Sequence, residues 1–94
     1  MNIVYNSEFY ASLDEIVDFI AQDSTKRATN FKDEILSQID RISFMPFSYP
    51  KNRYYNDENI RNLIFKGYKV LFYISISNDE IVVFGIYKSN LPNF

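Results

Sequence analysis

Neither cysteine nor histidine occurs in the sequence. That excludes a disulfide framework, a thiolate zinc site, a cysteine nucleophile and the commonest general base. Any acid–base chemistry must then rest on Lys, Arg, Tyr, Asp or Glu. The bases are concentrated in the second half, where Lys51, Arg53, Arg61, Lys66, Lys69 and Lys88 outnumber Asp57, Glu58, Asp79 and Glu80. Around Lys51 and Arg53 stand Phe47, Tyr49, Tyr54 and Tyr55, and aromatics among bases can stack on nucleobases, form an interface patch or fasten a loop to a core. The first half is acidic, with eight carboxylates against Lys26, Arg27, Lys32 and Arg41. Asp14, Glu15 and Asp18 mimic a carboxylate metal pair, but without histidine partners they read as a solvated helix face. The whole chain carries a formal charge of −2, which disfavours non-specific binding to phosphate backbones while leaving room for a local anionic site. With two glycines in all, no phosphate-cradling loop is present, and neither a metal nor a cofactor is expected.

These residues must be positioned by a domain of 94 residues, long enough for one core and too short for two. An apolar content of 47%, with 18% aromatic residues, is enough to bury one. Residues 60–89 hold three runs rich in Ile, Val, Phe and Tyr, cut by Lys66-Gly67 and by Ser77-Asn78-Asp79-Glu80. They read as an antiparallel three-strand meander. From Tyr68 to Ile76 the even positions are apolar, which predicts a core-facing row of Tyr68, Val70, Phe72, Ile74 and Ile76 and a wet row of Lys69, Leu71, Tyr73 and Ser75. Gly67 suits a tight turn; Gly85, inside a strand, suggests a bulge or a close approach by another chain.

The first half supplies the cover for that sheet. Residues 2–6 read as a short strand. A helix follows over about 8–22, with Ser7 or Ser12 as cap and Ser12–Glu15 fitting a capping box, and Phe9, Leu13, Ile16, Val17 and Ile20 on one face. After the Asp23-Ser24-Thr25 break a second helix carries Ala28, Phe31, Ile35, Ile39 and Ile42 inward and runs to about Phe44, before Met45-Pro46. The two form an antiparallel hairpin. Residues 46–59 make the longest irregular stretch. No apolar run approaches the roughly 20 residues of a membrane span, and the first residues lack a basic start, so a soluble, cytoplasmic protein is expected.

The order of strand, helix hairpin, proline loop and meander resembles the RelE/ParE superfamily of toxins from type II toxin–antitoxin pairs. The matching residues are the Ala28, Phe31, Ile35, Ile39 helix, the Pro46-Phe47-Ser48-Tyr49-Pro50 turn, Arg61-Asn62-Leu63 opening a strand, Tyr68–Ile74 and Glu80–Ile86. The resemblance covers almost the entire chain and implies a single α+β domain over residues 1–94. In it a helix hairpin packs on an antiparallel sheet completed by the C-terminal meander. It also implies a cognate antitoxin and either of two targets. ParE-like members bind and poison DNA gyrase without catalytic machinery; RelE-like members cut mRNA on the ribosome. For cleavage the catalytic set would be Arg61, Tyr87 and Lys88, with Arg61 clamping phosphate. Lys51, Arg53, Tyr54, Arg61, Lys66 and Lys69 are the expected binding residues. The Pro46–Pro50 turn resembles the ParE-like branch more closely. After the last strand the chain reads Ile86-Tyr87-Lys88-Ser89-Asn90, where cleaving members carry Arg, His and Tyr groups, and no arginine follows Arg61. Gyrase inhibition is therefore the favoured expectation, with mRNA cleavage or a non-toxic, interaction-only member as alternatives.

Overall fold

Apolar residues at helical spacing in the first half and at strand spacing in the second produce a two-layer α+β fold. The computed structural model describes residues 1–88. In chain order the elements are β1 (Asn2–Tyr5), α1 (Ser7–Asp23), α2 (Thr25–Asp40), two short 3-10 turns (Arg41–Phe44 and Pro46–Ser48), β2 (Ile60–Phe65), β3 (Tyr68–Ser75) and β4 (Glu80–Lys88). The sheet order is β1-β4-β3-β2, with the expected meander antiparallel throughout. β1 departs from the expected antiparallel sheet: it lies parallel to β4, pairing Asn2–Tyr5 with Glu80–Val83. The helix hairpin intervenes between β1 and the meander and returns the chain to the opposite edge, so the sheet is mixed.

Helix boundaries follow cap chemistry. Asn6 Oδ1 accepts the Phe9 amide at 2.9 Å and starts α1, so the Ser12 capping box does not form and Ser12 sits inside the helix. Ser24 closes α1 through its amide, which donates to the Ile20 carbonyl, and opens α2 through its hydroxyl, which accepts the Arg27 amide at 3.1 Å. This one residue ends one helix and begins the next. The α-helical part of α2 stops at Asp40, and the remaining turn to Phe44 is 3-10 rather than α. Pro46, two residues on, restricts Met45 and prevents a longer helix.

The core forms where α1 and α2 lie on the sheet. Phe9, Leu13, Phe31, Ile35, Ile39 and Ile42 meet Leu63, Val70, Phe72, Ile74, Ile81, Val83 and Ile86. The alternation along β3 holds for Val70, Phe72 and Ile74, but Leu71 and Ser75 are buried as well, and Ile76 lies beyond the strand and is exposed. Both faces of the sheet are therefore covered, one by helices and one by something else. A bulge marks the change: Leu71 pairs with Gly85 and Phe72 with Val83, which leaves Phe84 as the extra residue of β4. A Cβ on Gly85 would meet Leu71 only at ordinary contact distance, so this glycine marks the bulge expected there rather than a steric necessity. In the β2–β3 turn Lys66 and Gly67 both have positive φ, as a two-residue hairpin requires.

Candidate functional site

The second cover is the loop from Tyr49 to Asn59, which folds over the sheet face away from the helices. Its path is set at a few polar points. Asn62 on β2 donates its amide to the Pro50 carbonyl at 2.9 Å, and the Asn52 amide returns to Ile60 at 3.1 Å, so residues 50–52 pair along the outer edge of β2. The Asn52 side chain donates to Asn62 Oδ1 at 2.8 Å, and both asparagines are buried. Tyr54 donates its amide to Asn52 Oδ1, and the Tyr55 ring stands edge-on to Phe84, the bulged residue, at 5.9 Å. A shallow apolar hollow of about 320 Å³ remains between Asn52, Tyr54, Tyr55, Leu71 and Tyr87.

Arg61 sits at the start of β2, opposite Phe72, and so faces the helix side. Its Nε donates to the Glu58 carbonyl at 2.7 Å, while Nη1 donates to the carbonyls of Phe47 at 3.0 Å and Tyr49 at 2.9 Å. The guanidinium also lies 5.2 Å from the Phe47 ring centre. One planar fork thus ties both ends of the proline loop to the sheet, with Nε and Nη1 both engaged by backbone carbonyls. Tyr87 belongs to the other face, in register with Lys69 and, through it, Ile64. Strand spacings alone put Arg61 and Tyr87 about 14 Å apart at the backbone, with side chains on opposite faces. Lys88 is opposite Tyr68 at the hairpin end of the sheet. Of the three residues expected to cooperate in cleavage, Tyr87 and Lys88 border one groove, and Arg61 does not line it.

The expected binding residues fall into two groups. Lys51 pairs with Glu58 at 3.3 Å, and Arg53 borders the same exposed hollow of about 330 Å³. Lys66 pairs with Glu34 of α2 at 2.7 Å and lies over the Phe65 ring, on the helix side. Lys69 and the exposed Tyr54 belong to the loop-covered face. The sequence reading missed Asn52 and Asn62, which fix the loop. An asparagine between Arg61 and Leu63, in an otherwise apolar strand, was the available signal. It also missed the exposed Phe44 and Met45 beside Phe47. No group of three acidic residues among those described could hold a metal ion.

A two-helix layer on this sheet order defines a class of fold already seen in a toxin–antitoxin system. The solved structure described as the chromosomal ParDE TA system from P. aeruginosa superposes with a TM-score of 0.75, at 18% identity, over 94% of this chain and 95% of that one. No curated protein matches the chain significantly. The model of the ParE toxin of the type II toxin–antitoxin system, parDE, matches residues 3–90, and the chain belongs to that family.

Proposed function

We propose that this ParE-family toxin arrests growth by binding DNA gyrase in the cytoplasm, and that a cognate antitoxin neutralises it. The observation that supports a binding role is Arg61. The cation best suited to clamp a phosphate is engaged by three backbone carbonyls and the Phe47 ring. Tyr87 projects from the opposite face of the sheet. In-line attack on RNA needs a base, a phosphate clamp and a leaving-group donor around one bond, and that separation favours surface recognition over cleavage. In this reading Arg61 positions the loop, while Lys51, Arg53, Tyr54, Lys66 and Lys69 offer contacts to protein partners. On the same reading, Tyr87 and Lys88 carry no catalytic step.

The test is supercoiling by purified gyrase in the presence of the purified chain, with inhibition or trapped cleaved DNA expected at micromolar levels. Absence of both effects would refute the reading. Induction of the chain alone in cells adds a second check. Replication should stop before translation; new mRNA ends at ribosomal A sites would instead identify an endoribonuclease, and unimpeded growth an interaction-only member.

A further inference from the structure

Three of the exposed large apolar side chains fall within four residues. Phe44 is 82% exposed, Met45 67% and Phe47 45%, on the two 3-10 turns that follow α2. Burying such groups is favourable, and a contiguous set left in water marks an interaction site. The turn that carries them is held at several points. The Ser43 hydroxyl donates to the Asp40 carbonyl at 3.1 Å, and the Ser48 hydroxyl donates to the Met45 carbonyl at 2.6 Å. Arg61 holds the Phe47 carbonyl and approaches its ring. The rings are thus presented by a fixed backbone, which lowers the ordering cost of docking.

Beside this knuckle lies a hollow of about 440 Å³ bordered by Gln38, Arg41, Phe44, Met45, Tyr49 and Leu63. Arg41 is the only charged residue lining it, and among the described residues it forms no ion pair within 4.0 Å. An unpaired cation beside the exposed Phe44 and Met45 complements an acidic residue flanked by apolar ones. The apolar groove between α1 and the end of β4, near the exposed Phe19, is bordered by both Glu15 and Lys88, and opposite charges there select no sign of partner.

We infer that the Phe44–Phe47 knuckle with Arg41 is the surface that engages DNA gyrase, through an acidic, apolar-flanked segment of that enzyme. This rests on the gyrase reading above. The experiment measures inhibition of supercoiling by the gyrase holoenzyme for the wild-type chain, Arg41→Glu, the double variant Phe44→Ser/Met45→Ser, and Phe19→Ser as a control of similar exposure. All four positions are exposed, and thermal unfolding verifies that each variant folds. Both knuckle variants should raise the inhibitory concentration by at least about tenfold, with Phe19→Ser within about twofold of wild type. An inhibitory wild-type chain whose knuckle variants are equally potent overturns the surface assignment alone. A wild-type chain without effect on gyrase overturns the gyrase reading and this assignment with it.

Discussion

On the helix side of the sheet, Val70, Phe72, Ile74, Ile81 and Val83 lie wholly buried beneath apolar residues from both helices. On the other side, Leu71 and Asn62 are covered by a loop fixed through one asparagine pair, one aromatic contact and a short stretch of edge pairing, while Arg61 anchors that loop's base from the helix side. Dispersed packing has no single residue on which it depends except the largest ones. A point-fixed loop depends heavily on each of its few anchors and can carry exposed groups without disturbing the core. The first arrangement makes the scaffold; the second leaves Tyr54, Tyr73 and Ile64 in contact with water, where a partner could meet them. The largest expected effect tests the first half of this comparison. Phe72→Ala removes a fully buried ring that also meets Tyr49 edge-on at 5.6 Å. It should cost about 3–5 kcal/mol in denaturant unfolding, a large share of the roughly 5–15 kcal/mol available to a small domain. A loss no greater than that of the loop anchors would break the distinction.

This division also decides what could be read from the residues alone. Ala28, Phe31, Ile35, Ile39 and Ile42 recur at helical spacing, and all five are buried as that spacing requires. The Lys66-Gly67 turn and the meander follow from local preference in the same way. What was not legible depends on distant contacts. Leu71 looked wet because alternation in one strand cannot reveal a loop arriving from about twenty residues away. β1 lies parallel because the hairpin carries the chain across the layer, which strand patterning does not encode. Ser12–Glu15 satisfied the capping-box pattern, but Asn6 offered a cap six residues earlier, at the point where β1 ends. Arg61 was legible as a significant cation, yet its bonding to three carbonyls appears only once residues 47, 49 and 58 converge on it.

Arg61→Lys tests the second half of the comparison. A lysine keeps the charge but cannot place donors on three carbonyls at once. The substitution should cost about 1–3 kcal/mol. Amide hydrogen exchange should quicken at Asn52 and Asn62, which pair the loop to β2, and stay slow at Ile74 and Ile81 in the core strands. Full stability with unchanged exchange would mean that charge, not the fork, is what this position supplies, and would return Arg61 to the role of a ligand contact.

A smaller effect separates Ser24, which caps α2, from Ser12, which lies inside α1. Ser24→Ala deprives the Arg27 amide of its acceptor and should cost about 1 kcal/mol, or roughly 4–8 °C in the unfolding midpoint of a domain this size. Ser12→Ala, inside α1, should change stability by less than about 0.5 kcal/mol in either direction. Equal losses at both positions would contradict the placement of the helix starts.

The smallest effect lies at the margin of the helix-side core, where Tyr5 packs against Phe9 and Tyr10 with ring centres 5.3 Å away in each case. Burial, with lesser contributions from the Asp40 carboxylate and from Tyr10, pushes its hydroxyl up to about 12. The folded state therefore favours the neutral phenol more than the unfolded chain does. That contribution is complete below about pH 10, where tyrosine is neutral in both states. It declines as pH rises and is lost through about pH 12, because the unfolded chain releases the proton first. Tyr5→Phe retains the ring contacts and removes the proton. Between pH 10 and 12 the wild-type chain should lose more stability than Tyr5→Phe, as measured by denaturant unfolding at each pH. Matching declines would show that alkaline sensitivity arises elsewhere and that the helix-side core contains no group whose ionisation it must suppress at this edge.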